Sequence, residues 1–497
     1  MYEAALTLST VIFIVVSLYY VKSSLFSIYH PFTLYCAFHG ILFVLRPWIA
    51  WIGDYNMMYE AYRFMPSLSD KITVLLATTL GFLVFGFFSL RVGGVPFAFK
   101  HDQATYEERR VLFPIFVWVL VICGPIAAYS LMTQFDKGLE GMVFDSATGI
   151  SINTTKNGYM VDAQLMLVSL SAVFAWINRF RLFSLVPLAF FVLVRAGTGG
   201  RGPFVAAMAS AGLLYLYDRR QRYPSLRMAL MLMPLLLLFR IVGDDRGASI
   251  KSAIDPGTGQ VTSYEVEDRM RPLESMDYAN MEFMEYLVYA IPQRTGTYDY
   301  FLDNLQIFTE PVPRVLWKNK PIGPPIQNIN LMKYGSPVGM TRSLPGEGWY
   351  ALGWLGVIVW SALYGAGTGL VYRKFVQGNQ STFATAAYMI FVPSLIVGFR
   401  DGALLSLIRS TGIYMIPIGV WYALSRFLVL PAIADMRRAM RRQAASPGPG
   451  LPAGSEGAPG EGRSPGRYLP PAVRRRRLAL ANASSEAPPF TAGSADG

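Results

Sequence analysis

The chain has 497 residues, 53% hydrophobic and only 15% charged, with 32 Phe, 28 Tyr and 9 Trp. Apolar runs of about 18 residues or more recur along it, which argues against a string of soluble domains and for a bundle of transmembrane helices. The net charge of +12 does not point to a nucleic acid: ten Arg against four Asp or Glu in residues 437–497 supply +6, half of the total.

Eleven spans are predicted, give or take one, at about 4–21, 31–52, 72–90, 112–130, 160–176, 182–194, 203–217, 226–242, 351–371, 382–398 and 411–431. In lipid every backbone polar group must be satisfied internally, and the apolar runs do not alternate, so the spans are helices. The fold class is therefore an all-α polytopic membrane protein. The first run has neither a basic flank nor a small-residue cleavage site, which predicts a retained helix and not a signal peptide. The sixth is shorter than the roughly 20 residues a bilayer needs. It either draws on Trp176–Arg181 or is a tilted, partial span. Cys36 and Cys123 lie inside apolar runs, so neither a disulfide framework nor a metal cluster is indicated, and no cofactor is expected.

Short basic loops set the orientation. Arg91–Arg110, Arg179 with Arg181, Arg219–Arg227, Arg373 with Lys374, and the C-terminal tail all fall on one side, the cytoplasm. The N-terminus is then periplasmic and the C-terminus cytoplasmic, in a bacterial inner membrane. The opposite side carries 53–71, 131–159, the Arg195–Pro203 turn, a large periplasmic loop over 243–350, and Phe399–Ser410. Residues 1–435 form the membrane body. Residues 436–497, rich in Pro, Gly, Ala and Ser with a block at Arg474–Arg477, read as a disordered basic tail.

The stretch Arg195-Ala-Gly-Thr-Gly-Gly-Arg-Gly-Pro203 joins two apolar runs. Its glycines, Gly199 and Gly200 among them, let successive N–H groups converge, and Pro203 suits the first position of the next helix. Flanked by Arg195 and Arg201, it is either a tight hairpin with snorkelling arginines or a cradle for phosphate or diphosphate. Its place on the outer face favours the cradle. The long loop holds ten Lys or Arg against fourteen Asp or Glu. Within it Glu282–Ile291 has helical apolar spacing, and Pro311–Pro321 is too proline-rich for a long helix. A connection of this length is more often functional than filler.

Arginines crowd the outer ends of the spans, against the usual bias: Arg46, Arg195, Arg201, Arg240, Arg246, Arg294, Arg314, Arg342, Arg400 and Arg409. Each alone can snorkel or pair with an acid. Together they suggest an outward-facing site for an anionic, diphosphate-bearing ligand, because guanidinium binds phosphate bidentately. Arg195, Gly199, Gly200, Arg246, Arg342, Arg400 and Arg409 are its candidate diphosphate contacts. Glu347, just before the ninth span, is either a helix cap and partner for Arg342 or a general base. Trp317, Trp349 and Tyr350 form an interfacial belt or stack on sugar rings. None of the three histidines lies in an outer loop, and no zinc, nucleotide or dinucleotide motif is present.

Three segments resemble the bacterial O-antigen or oligosaccharide repeat-unit polymerase family: Gly-Thr-Gly-Gly-Arg-Gly-Pro (197–203), Val312-Pro-Arg-Val-Leu-Trp-Lys-Asn-Lys-Pro321, and Leu344-Pro-Gly-Glu-Gly-Trp-Tyr-Ala-Leu-Gly-Trp-Leu-Gly356. Their order and the span layout fit as well, over most of residues 1–435. The resemblance implies a glycosyltransferase building O-antigen, capsule or exopolysaccharide. Such enzymes move a growing glycan from one undecaprenyl diphosphate carrier to the non-reducing end of another carrier-linked unit. It implies Arg201 and Arg314 at the leaving diphosphate and Glu347 as base, with the lipid bilayer, a flippase and a chain-length regulator as partners. A flippase or transporter, an O-antigen ligase-like transferase, and a non-enzymatic export scaffold are the alternatives. The halves show no inverted repeat, which argues against a transporter.

Overall fold

The structure is a computed structural model of the chain. It describes residues 1–100, 103–137, 142–144, 151–153, 158–197, 201–225, 228, 271, 273–274, 276–312, 316–321, 323–337 and 339–428. The predicted span at 226–242, apart from Met228, and the tail at 436–497 lie outside these residues.

The helices in order are α1 (Tyr2–Lys22), α2 (Pro31–His39), α3 (Arg46–Ile52), α4 (Met57–Tyr62), α5 (Leu68–Val92), α6 (Gln103–Lys137), α7 (Met166–Ile177), α8 (Leu182–Gly197), α9 (Arg201–Asp218), α10 (Asn280–Ala290), α11 (Leu344–Gln377), α12 (Thr382–Asp401) and α13 (Leu404–Leu428). A π-helical segment, Gly40–Leu45, joins α2 to α3 into one rod. Two three-residue strands, Met142–Phe144 and Ser151–Asn153, pair antiparallel.

Seven helices are long and apolar enough to cross a membrane: Tyr2–Lys22, Pro31–Ile52, Leu68–Val92, Tyr106–Thr133, Leu344–Gln377, Thr382–Asp401 and Leu404–Leu428. The protein is thus a helical membrane protein, with seven such helices among the described residues against eleven predicted spans. The predicted fifth and sixth spans are shorter helices. α7 has 12 residues, preceded by a 3-10 segment at Gly158–Leu165. α8 has 16 residues, about 24 Å at 1.5 Å per residue. Trp176 and Ile177 belong to α7, and Arg179 and Phe180 then take φ of 57° and 53°. That left-handed pair ends α7, so Trp176–Arg181 does not lengthen the sixth span. The seventh is α9, of 18 residues.

Local signals account for the ends. Ser67 and Asp70 form a reciprocal capping box that starts α5. The His30 ring accepts from the Phe32 amide and caps α2, whose first residue is Pro31. The outer faces of α1, α6 and α8 leave Val15, Leu18, Trp118, Val121, Val186 and Phe190 exposed. Apolar residues in continuous exposed rows are what a bilayer covers. Inward, α5 and α11 approach through small residues: a Cβ on Gly365 would lie 2.6 Å from the Phe85 carbonyl oxygen. One on Gly369, a turn later, would lie 2.8 Å from that of Ser89.

The loops sort into two sets by their contacts. In one set Lys100 donates to the carbonyls of Gln377 and Gly378, Arg222 to that of Phe97, and Arg109 pairs with Asp218 at 2.8 Å. These are the loops whose basic residues were predicted to share a side. In the other set Ser336 N donates to Tyr62 O, Ser343 N to Arg400 O, and Arg409 pairs with Asp162. The segment at 276–343 holds that end together, and α10 is its buried strut. Every residue of α10 but Tyr289 is buried.

Candidate functional site

α11 is not one straight rod. Leu352 and Gly353 leave helical geometry, with φ/ψ of −159°/27° and 60°/−138°. The second pair belongs to glycine, which has no Cβ to clash. The piece before the break, Leu344–Ala351, folds back on the piece after it. It carries Glu347 in its first turn, with the Ser343 hydroxyl accepting from the Gly346 amide at 3.3 Å. Ser343 N in turn donates to the Arg400 carbonyl at 2.8 Å. Gly402, at φ 75°, sits so close that a Cβ there would meet Ser343 O at 2.1 Å. Trp360 Nε1 and Tyr364 Oη donate to the Gly402 carbonyl at 2.9 and 3.2 Å. The corner between α12 and α13 is therefore fixed beneath Glu347.

Above it stands Arg342. Its Nη1 donates to Glu347 Oε2 at 3.0 Å and its Nη2 to Asp303 Oδ2 at 2.7 Å. Its guanidinium lies over the Tyr350 ring, 3.8 Å from the centroid. Asn304 Nδ2 donates to the other Glu347 oxygen at 3.2 Å. Asp299 completes the group: its amide donates to Tyr350 O, and its Oδ2 accepts from the Asp303 amide at 3.1 Å. Asp299 Oδ1 and Asp303 Oδ1 are buried without a hydrogen-bond partner. Three carboxyls thus face one guanidinium. Burial, and then the Asp303 charge, push the Asp299 carboxyl up to about 7.

This arrangement can hold a carboxylate in a fixed orientation and take up or release a proton near neutrality. Each Glu347 oxygen accepts one hydrogen bond, and the side chain is buried.

Among the predicted residues, Glu347 and Arg342 are in direct contact. Arg400 contributes its carbonyl to the site, while its guanidinium reaches Asp277 Oδ1 at 3.3 Å. Arg409 is engaged apart from the cluster, with Asp162 and, at 3.8 Å, Glu310. Arg342, Arg400 and Arg409 are each met by a carboxylate, because the same loops that bring arginines also bring acids. Arg195 lies in the last turn of α8 and Arg201 is the first residue of α9, so Pro203 is the third residue of that helix and not its first. Gly199, Gly200, Arg246 and Arg314, with Arg240, lie outside the described residues. Trp349 and Tyr350 are buried and do not form a belt: Trp349 Nε1 donates to Ile291 O, and Tyr350 supports Arg342. Asp299, Asp303 and Asn304 escaped the sequence reading, since a loop and the four-residue 3-10 turn Leu302–Leu305 are too short to carry a periodicity. No protein-family model, curated protein or solved structure matches this chain.

Proposed function

We propose that the protein is an inner-membrane glycosyltransferase that polymerises lipid-linked oligosaccharide repeat units. It transfers the growing glycan from one undecaprenyl diphosphate carrier to the non-reducing end of another carrier-linked unit on the periplasmic face. The observation that carries the reading is the Arg342–Glu347–Asn304 arrangement at the end of a helical membrane body, which holds a buried carboxylate in a fixed orientation. In the reaction the acceptor hydroxyl oxygen bonds to the anomeric carbon of the donor. The bond from that carbon to the diphosphate oxygen breaks, and the electron pair leaves with the lipid diphosphate. Glu347 takes the hydroxyl proton. Arg201 and Arg314 stabilise the charge that grows on the leaving group. Arg195, Gly199, Gly200, Arg246, Arg400 and Arg409 are the further diphosphate contacts of this reading. Arg400 and Arg409 are more than a third exposed, so their carboxylate partners can be exchanged for a phosphate.

The test is genetic. A deletion strain should make single-repeat glycan in place of long chains, and complementation with Arg201→Ala or Arg314→Ala should not restore them. Unchanged chain length on deletion rejects the reading. The broken helix at Leu352–Gly353 favours one other reading, a flippase for the same lipid, because transporters use interrupted helices. A flippase defect leaves the carrier-linked repeat unit on the cytoplasmic side, whereas a polymerase defect leaves it outside.

A further inference from the structure

For Trp317 the sequence leaves two roles open, a ring at the bilayer interface or a platform for a sugar, and its surroundings separate them. The segments 306–312 and 316–320 are tied side by side. Lys320 Nζ donates to the Glu310 and Val312 carbonyls at 2.9 and 3.2 Å and lies 3.6 Å from Glu310 Oε2. The Lys320 amide donates to Trp317 O at 3.1 Å. What this knot shows to its surroundings is apolar. Phe308 and Leu316 are 77% and 79% exposed, and Leu305 and Trp317 are each more than a third exposed. One such residue on a surface is ordinary, but four on one small knot mark a contact surface.

The patch adjoins a face that a bilayer covers. The short helix Gln306–Thr309 packs against α13. Glu310, directly after it, has Oε1 3.8 Å from Nη1 of Arg409, which stands in the second turn of α13. Beside Arg409 begins a row of exposed positions, Ile408, Gly412, Ile416, Gly419 and Tyr422, spaced three and four residues apart on one helix face. α13 is among the helices long and apolar enough to cross a membrane, so lipid is what covers that row. The knot sits where the row reaches the end of the span. Its composition suits that depth: Leu316 and Trp317 are followed by Lys318, which is exposed and forms no ion pair among the described residues. Aromatic rings favour the headgroup level, and ammonium groups next to them meet lipid phosphate.

We infer that this patch is docked in the bilayer interface at the end of the protein that carries Glu347. Phe308 and Leu316 enter the acyl chains, the Trp317 ring lies at headgroup depth, and Lys318 meets a lipid phosphate. A second copy of the chain fits less well, because four side chains fall far short of the roughly 800 Å² a side that a stable protein interface buries. The inference goes beyond the transferase reading and does not depend on it. Leu305 directly follows Asn304, which donates to Glu347, so the docked patch is joined to the turn that covers that carboxylate.

The test reads lipid contact and no transfer, so its failure and the failure of the transferase reading are distinguishable. Nitroxide labels are placed singly at Phe308→Cys and Leu316→Cys in the full chain carrying Cys36→Ala and Cys123→Ala. The protein is reconstituted in vesicles of phosphatidylcholine with a minority of phosphatidylglycerol, and Ile416→Cys supplies the lipid-facing standard. Oxygen, which partitions into lipid, should relax both labels more strongly than a water-soluble nickel chelate does, as at Ile416. Stronger relaxation by the nickel chelate at either site overturns the inference, since the patch then faces water. Protection from both agents also overturns it, since protein then covers the patch. A second measurement keeps the native cysteines: the emission that Trp317→Phe removes from the wild type should fall about twofold when lipids brominated on their acyl chains replace ordinary ones. Unquenched Trp317 emission counts against the docking in the same way.

Discussion

Gly348 and Gly356 meet backbone to backbone: a Cβ on Gly356 would stand 1.9 Å from the Gly348 carbonyl oxygen. In a straight helix residues eight apart are separated by about 12 Å along the axis. The break at Leu352–Gly353 brings them together, and this reversal sets Glu347 against the α12–α13 corner. Gly356→Ala cannot be absorbed by a rotamer change, because the obstacle is main chain. The expected cost is about 3 kcal/mol or more, seen as a large loss of thermal stability in detergent. Gly367→Ala is the control, since nothing lies within 4 Å of its Cβ. It should be neutral or slightly stabilising. Equal stability of the two variants would discredit the fold-back.

Arg342 holds two carboxylates with one planar fork, and that geometry predicts an asymmetry between substitutions. Arg342→Ala leaves Glu347 and Asp303 without their cation and should cost about 3–5 kcal/mol. Arg342→Lys keeps the charge but not the fork, so it should recover only part of that stability. Glu347→Gln keeps the shape and the Asn304 contact. It should fold close to wild type while eliminating chain growth if Glu347 takes the proton. Long glycan from the Glu347→Gln strain would remove Glu347 from the chemistry.

How far these relationships could be read from the chain depends on their range. The apolar runs mark most helices within a few residues, because lipid demands the same pattern wherever a span occurs. The helix at Glu282–Ile291 was legible from its spacing, and α10 covers Asn280–Ala290. Its burial was not legible. Glu282 and Glu285 are tolerated inside because Arg46 and Tyr59 meet them, more than 200 residues away in sequence. Arg46 itself was readable in kind: a charge within a span must find a partner, and it does. Asp299 and Asp303 were invisible for the opposite reason. Asp299 lies in a loop and Asp303 in the short 3-10 turn Leu302–Leu305 that follows, and only the tertiary fold carries them to Arg342. The break in α11 had a local trace in Gly348, Gly353 and Gly356, yet glycines in a membrane helix serve close packing just as often, as Gly365 and Gly369 do here.

The buried carboxyls predict a pH dependence. Asp299 is pushed up to about 7 by burial and the Asp303 charge, and Glu285 to about 7 by burial, with Glu282 adding to it and Lys71 opposing it. A folded pKa above the unfolded value means that the native state binds its proton more tightly. The stability this contributes is full below about pH 4 and is lost as pH rises through about 7. Asp299→Asn mimics the protonated form and keeps an acceptor for the Asp303 amide. The variant should match wild type in acid and exceed it in stability above neutrality. Thermal melts of both proteins across that range decide it. A variant less stable at every pH would show that the carboxylate form is the one the fold wants.

Arg409 offers the cleanest separation of structure from function. It pairs with Asp162 and lies near Glu310, but its side chain is 41% exposed, and exposed pairs contribute about 0–1 kcal/mol. Arg409→Ala should therefore leave thermal stability nearly unchanged. The same substitution removes one of the few cations at that end of the protein whose partners can be exchanged for a phosphate. If Arg409 contacts the carrier diphosphate, the variant strain makes shorter glycan at normal protein level, and raised salt weakens residual activity less than in wild type. Arg400→Ala is the partner experiment, with its guanidinium on Asp277 and its carbonyl already committed to Ser343. The main-chain bond survives that substitution, so a loss of chain growth would be assigned to the charge. Normal glycan from both variants would confine these arginines to holding the loops together.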